Sequence, residues 1–221
     1  MKRYILMCDV IDSRNKNQQI IINELKNCRD FINEKYKTYI LSPLTITLGD
    51  EFQAVIKDLE TSFNIILEIE EYIIKNNFQI KLRYVLIFGE ISTPINSEIA
   101  YEMLGEGLTF ARNQLNKMKA NENRFFIKID DDTLETISNN SFSILQNIID
   151  KWKIEKDYKL ISNLITYKDY KIVSEKLNKE RSLIWKREKS LNMSSYNSIK
   201  EIILKLPKYE HIHQNNTGNL Y

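Results

Sequence analysis

The sequence predicts an α+β protein: a ferredoxin-like palm over residues 1–132, then an all-α module with helix-turn-helix spacing over 133–206. Three observations carry that reading. Up to about residue 130, short β-type runs alternate with helical stretches in the order βαββαβαβ, which suits a sheet with its helices packed on one face. After Thr133 only helical spacing remains. The charge also divides along the chain: residues 151–221 hold 15 Lys and Arg against 8 Asp and Glu, and residues 1–150 hold 17 against 22. The formal total of +2 is thus a cancellation of +7 and −5, and such asymmetry suggests separate jobs for the two parts.

Arg3-Tyr-Ile-Leu-Met-Cys8 is a short apolar run ending at Asp9, as a buried strand requires. From Asn17 to Tyr39, Ile21, Leu25, Cys28, Ile32 and Tyr36 recur at helical spacing. Leu44–Leu48 and Phe52–Ile56 read as strands around a Gly49-Asp50-Glu51 hairpin tip, where Gly49 supplies the positive φ of a tight turn. A helix over Leu59–Lys75 presents Phe63, Ile66, Leu67, Glu70 and Ile74 on one face. Ile80–Ile91 is a longer strand, Gly105–Lys119 a helix, and Phe125–Ile129 the last strand. Asp130-Asp131-Asp132 then places negative charge at a helix start.

The helical part has an expected break at Asn139-Asn140-Ser141, then a stretch over Phe142–Ile165 with Leu145, Ile148, Ile149, Trp152 and Leu160. Two short helices and an amphipathic segment over Tyr196–Leu206 follow. After Pro207 the polar run lacks periodicity, so 207–221, with His211 and His213, is expected to be a mobile tail.

Composition excludes several classes. No apolar run nears the ~18 residues of a membrane span, and no secretory leader is evident, so a cytoplasmic protein without membrane attachment is expected. Two cysteines, Cys8 and Cys28, do not make a disulfide framework, and Cys8 reads as core.

Candidate chemistry lies in the acidic part. If the first strand lies beside the hairpin, Asp9 and Asp50 reach the same sheet edge, and two carboxylates there repel unless a cation sits between them. Mg²⁺ or Mn²⁺ suits this, since hard cations take oxygen ligands and complete their shell with water and substrate phosphates. The plainer readings are that Asp12-Ser13 caps the next helix and that Asp50 only turns a hairpin. Gly105-Glu-Gly-Leu-Thr-Phe could cradle an anion at a helix start or simply lead into the helix.

These segments resemble the SatD family. The resemblance rests on Asp9-Val10-Ile11-Asp12-Ser13 and Thr47-Leu48-Gly49-Asp50-Glu51-Phe52-Gln53, and continues through Leu82-Arg83-Tyr84, Phe88-Gly89-Glu90-Ile91 and Gly105–Arg112. More remotely, the palm is similar to class III nucleotidyl cyclases and GGDEF-type domains. That similarity implies metal ligation by Asp9, Asp50 and the Val10 carbonyl, a nucleotide bound near Gly49 and Gly105, and catalytic roles for Glu51 and Arg112. It also implies pairing into a homodimer. Three positions depart from the cyclase pattern: Ile46 stands where a base-selecting polar residue is expected, and Thr109 and Asn113 stand where Asn and Arg are expected. Arg112 is displaced by one residue, a turn of ~100° around the helix. The departures favour a nucleotide-binding or degenerate site over an active cyclase of the usual type.

In the basic part, Val173-Ser174-Glu175-Lys176-Leu177-Asn178 followed by Lys179–Glu188 has helix-turn-helix spacing, with Asn178 at the turn and Leu183 and Ile184 as anchors. Arg181, Ser182, Trp185, Lys186 and Lys189 would then face DNA, and specific binding by so small a unit usually needs a dimer. The expected function is a cytoplasmic regulator that joins a Mg-dependent nucleotide-binding domain to a DNA-binding one. The alternatives are an active divergent nucleotidyl cyclase or nucleotidyltransferase, or a partner-binding module without either activity.

Overall fold

A computed structural model describes residues 1–210, and His211 and His213 lie outside the described residues. The palm comprises β1 (Lys2–Val10), α1 (Gln18–Lys35), β2 (Ile40–Ile46), β3 (Glu51–Ile56), α2 (Leu59–Lys75), β4 (Leu82–Glu90), α3 (Glu106–Met118) and β5 (Phe125–Lys128). Helices α4 (Asp132–Ile149), α5 (Ile154–Tyr167), α6 (Tyr170–Leu177), α7 (Arg181–Ser190) and α8 (Met193–Lys205) follow. The strands form one mixed sheet in the order β2-β3-β1-β4-β5. Its first four strands are antiparallel, and β5 joins β4 in parallel through the α3 crossover that a parallel pair needs. No helix among the described residues is long and apolar enough to cross a membrane.

Side-chain alternation gives the sheet two different faces. Leu6, Cys8, Phe52, Ala54, Tyr84 and Leu86 point toward α1 and α2, and that core runs on without interruption into α4–α8. Ile5, Met7, Val55, Val85 and Ile87 point the other way and pack against Leu108, Ala111, Leu115 and Met118 of α3. The expectation of helices on one face is therefore corrected: the crossover carries α3 to the opposite side, where a second apolar row on every central strand needs cover.

Local chemistry explains where the elements differ from expectation. Asn17, rather than Asp12-Ser13, caps α1, accepting from the amides of Gln19 and Ile20 at 3.0 and 3.3 Å. Asp12 instead adopts a left-handed conformation and makes no capping bond. Asp131 caps α4 by accepting from Leu134 N at 2.9 Å, as the acidic run implied. The expected break at Asn139 is absent. The Asn139 amide uses its carbonyl for Ile127 N and its NH₂ for Ile127 O, at 3.0 and 2.8 Å, so it pairs with the free edge of β5 without interrupting α4. The real interruption falls at 150–153, where Trp152 turns inward and donates to the Leu191 carbonyl at 2.8 Å. The start of the expected tail is ordered: Leu206–Tyr209 form a 3-10 turn with Pro207 buried, and residues 211–221 lie outside the described residues.

Two glycines let α3 lie close against β4. A Cβ at Gly107 would stand 2.7 Å from the Gly89 carbonyl carbon and 2.8 Å from the Glu90 amide nitrogen, and one at Gly105 would stand 2.3 Å from the Glu90 oxygen. Alanine inside a helix is favoured over glycine by ~1 kcal/mol, whereas forcing atoms into a packed contact costs ~1–3 kcal/mol. Contact should win here. Gly107→Ala is expected to lower the unfolding free energy by about 1–2 kcal/mol in urea denaturation. Unchanged or higher stability would show that α3 does not need this approach.

Candidate functional site

The α3-facing side of the three central strands is built in cross-strand rows. Ile5, Val55 and Ile87 form one row, and Met7, Gln53 and Val85 the next. The row after that is Asp9, Glu51 and Arg83, in register on β1, β3 and β4. The same alternation that gives a core thus ends in three charged side chains. Asp9 is only 2% exposed and Glu51 5%. Burying charge so deeply is costly unless it is paired.

Pairing comes from β4 and α3. Arg83 Nη1 donates to both Asp9 oxygens, at 3.2 and 3.3 Å. Lys119 Nζ, just past the end of α3, lies 3.4 Å from Asp9 and 3.5 Å from Glu51. Arg112 forms an ion pair with Glu51. Arg112 and Lys119 are seven residues apart, two helical turns, so both reach the same side. Burial pushes the Asp9 carboxyl above its ordinary range, and Arg83 and Lys119 pull against that shift. Burial likewise holds the Arg112 guanidinium below its ordinary range, with Asp9 opposing.

The predicted residues are only partly brought together. Asp9, Glu51 and Arg112 share the cluster. Glu51 does not sit at the hairpin tip, as expected, but is the first residue of β3 and lies opposite Asp9. Asp50 has its own partner, accepting from Ser13 Oγ at 2.5 Å, while its carbonyl accepts from Val10 N at 3.0 Å. Gly49 has a φ of 83° and nothing within 4 Å of where a Cβ would stand, so it serves the turn and leaves the space above it open. Gly105 is held against Glu90 and Ile91, which accounts for glycine there without a ligand.

Arg83 and Lys119 were missed as site residues. The available signals were an arginine inside the apolar Leu82–Phe88 run and a lysine seven positions beyond Arg112.

Beside the cluster lies a cavity of 420 Å³, a size within the range of small-molecule sites. Its walls include Met7 and Gln53 from the sheet and Thr109, Arg112 and Asn113 from α3. Arg112 therefore stands between the cavity and Glu51.

Among the described residues no group of three or more His, Cys, Asp or Glu side chains is arranged to hold a metal. The donor chemistry nevertheless fits a hard cation. Asp9, Glu51, Asp50 and Ser13 offer oxygens only, and Mg²⁺ often takes just one or two carboxylates with water and phosphate. The counter-charge in that position is Lys119, whose side chain is 45% exposed and so is the readiest to be exchanged.

On the α6–α7 pair, Asn178 takes the left-handed conformation expected of it, at φ 49°. Val173, Ser174 and Ile184 are buried, but Leu183 is 47% exposed and so does not anchor α7. The reason is its neighbour: Ile184 occupies the inward position, and the adjacent residue turns ~100° away. Arg181, Ser182, Trp185, Lys186 and Lys189 are all exposed. Arg181 pairs with Glu175 at 2.7 Å, and Lys189 Nζ lies 5.9 Å from the centre of the Trp185 ring.

The model of the SatD family matches residues 4–206. The chain belongs to that family. No curated protein matches this SatD-family chain. Among solved structures it is similar to a bacterial light-regulated adenylyl cyclase, with a TM-score of 0.43 and 13% identity over 57% of this chain and 43% of the other. It is also similar to the guanylyl cyclase Cya2, with a TM-score of 0.39 and 12% identity over 57% and 74%. Adenylate cyclases from Trypanosoma brucei give 0.37 and 9% over 50% and 65%. The chain spans less than half the length of the light-regulated cyclases.

A raised Asp9 pKa has a defined consequence for stability. The folded state holds the Asp9 proton more tightly than the unfolded chain, so parent stability falls as pH rises from about 4 through the folded pKa. Asp9→Asn mimics the protonated form and removes that loss. It also leaves Arg83 without its partner at every pH, so the measurable sign is a trend: the melting temperature of the variant relative to the parent should rise as pH goes from 4 to 7.5. A difference that stays constant, or moves in the parent's favour, as pH rises would contradict this.

Proposed function

We propose that this protein binds a nucleoside triphosphate or a related phosphorylated nucleotide, together with Mg²⁺ or Mn²⁺, at the charged row of the palm sheet. The reading is carried by one observation: Asp9 and Glu51 stand side by side, buried, on β1 and β3, two of the three central strands. Such a pair costs several kcal/mol of desolvation, and well-packed apolar residues in its place are often neutral or stabilising. A carboxyl raised by burial beside a cavity is a pattern found at functional sites.

In this reading Asp9, Asp50 and the Val10 carbonyl would hold the cation, which would supply a hard Lewis acid for phosphate oxygens. Lys119 and Arg112 turn from protein carboxylates to phosphate oxygens, exchanging one charge-assisted contact for another. Thr109, Asn113 and Gln53 line the space beside them. Nucleotide transfer or cyclisation is the alternative activity, with Glu51 and Arg112 as its catalytic groups. The apolar Ile46 and the displaced Arg112 favour binding over that chemistry.

A second reading adds DNA and completes a regulator, acting in the cytoplasm as a homodimer. Its support is the α6–α7 spacing, the left-handed Asn178 and the exposed Trp185, Lys186 and Lys189 on one helix.

Calorimetric titration of the four nucleoside triphosphates tests the main reading. At least one should bind with Mg²⁺ or Mn²⁺, and affinity should fall at least about tenfold with EDTA or in Asp50→Ala. Binding indifferent to metal, or none by any triphosphate, would overturn it, and pyrophosphate release on mixing would establish the enzyme. For the second reading, DNA retention should weaken steeply with salt through lost phosphate contacts. It should also be lost when Trp185, Lys186 and Lys189 are all changed to alanine, and retention equal to the parent's would refute it.

A further inference from the structure

A larger cavity, 890 Å³, lies on the other side of the sheet. It opens where the β1–α1 connection, the α2–β4 connection and the α4–α5 connection meet, so the palm and the C-terminal helices both contribute to it. None of Asp9, Glu51, Arg112 or Lys119 lines it.

Its walls divide by chemistry. Ile73, Ile74, Ile80, Ile149 and Trp152 are buried residues that give it an apolar floor. Lys16, Lys81, Lys153 and Lys156 stand around it with Arg124, against Glu70, Asp150 and Glu155. Two of these acids are already committed. Glu70 accepts from Arg124 Nη2 at 2.6 Å and from the Tyr84 hydroxyl at 2.7 Å. Asp150 accepts from Arg124 Nη1 at 2.8 Å and pairs with Lys81 at 2.9 Å. Lys16 Nζ donates to a neutral acceptor, the Gln79 carbonyl, at 2.7 Å. Among the described residues Lys153 and Lys156 form no ion pair, which leaves Glu155 as the remaining lining acid against three lysines.

We propose that this cavity binds a small amphipathic organic anion: an apolar or aromatic body seated on Ile73, Ile149 and Trp152, with an acidic head group held by Lys16, Lys153 and Lys156. The volume lies within the roughly 300–1,000 Å³ of small-molecule pockets, and the apolar floor under a polar, lysine-rich rim suits an amphipathic occupant. Lysine suits the head group as a mobile point charge that meets a carboxylate or a phosphate equally. Because the cavity is walled by both the palm and α5, an occupant bridges the two.

The test uses the full chain and 8-anilinonaphthalene-1-sulfonate, an aromatic body carrying one sulfonate. Trp185→Phe leaves Trp152 as the sole tryptophan and so reports on the cavity. One equivalent of the dye should bind with energy transfer from Trp152. Affinity should fall about tenfold or more when Lys153 and Lys156, both exposed, are changed to alanine with unchanged melting temperature. The uncharged N-phenyl-1-naphthylamine should bind more weakly and ignore the lysine change. Equal dye affinity in parent and double variant, absent transfer from Trp152, or equal binding of the charged and uncharged probes would each overturn the proposal. Asp9→Asn should leave dye binding unaltered, so this site and the nucleotide reading fail or stand separately.

Discussion

The structure depends on how two carboxylates survive inside it. Asp9 and Glu51 occupy the row of the sheet that follows Met7, Gln53 and Val85, where simple alternation would place more apolar side chains. Each has two cations beside it: Arg83 from β4 and Lys119 from the end of α3 for Asp9, Arg112 and Lys119 for Glu51. With three cations to two carboxylates the cluster has a surplus of positive charge, which suits an arriving phosphate. Breaking such a buried pair by removing one partner costs more than never having built it. The position of α3 is therefore constrained from both ends, by charge at Lys119 and by backbone contact at Gly105 and Gly107.

Those two constraints explain the departure from a one-sided palm. An added parallel strand, β5, requires a crossover, and the crossover helix must cover a face that already carries Ile5, Met7, Val85 and Ile87. Glycines at 89, 105 and 107 bring helix and strand backbones together, and Arg112 and Lys119 then reach the end of the sheet. The other face follows a different logic. There α1 and α2 share one core with α4–α8, and the ion network of Glu70, Arg124 and Asp150 joins them across the larger cavity.

Much of the palm was legible in the sequence because it rests on local signals. The βαββαβαβ order follows from alternating periodicities, the hairpin from Gly49, and the start of α4 from its acidic run. What was not legible depends on contacts distant in sequence. Asn139 reads as a helix breaker until β5 offers it an unpaired edge. Arg83 reads as one charge in an apolar run until the register sets it opposite Asp9. Glu51 reads as hairpin tip until strand pairing adds one residue to β3. The site was half visible for the same reason: Asp9, Glu51 and Arg112 stood out by motif, whereas Lys119 gains meaning only from the helix that delivers it. The 890 Å³ cavity had no local signature, since three separate connections build it.

The central claim is that the Asp9–Glu51 cluster exchanges its protein cations for a metal and a phosphate, and is not a static set of ion pairs. A crystal grown with Mn²⁺ and a non-hydrolysable nucleoside triphosphate analogue, with anomalous diffraction recorded at the manganese edge, addresses it most directly. The account predicts a manganese peak at the sheet edge that Asp9 and Asp50 would hold, with Lys119 moved from Asp9 to a phosphate oxygen. No peak at that position, with Lys119 still between Asp9 and Glu51, would contradict it.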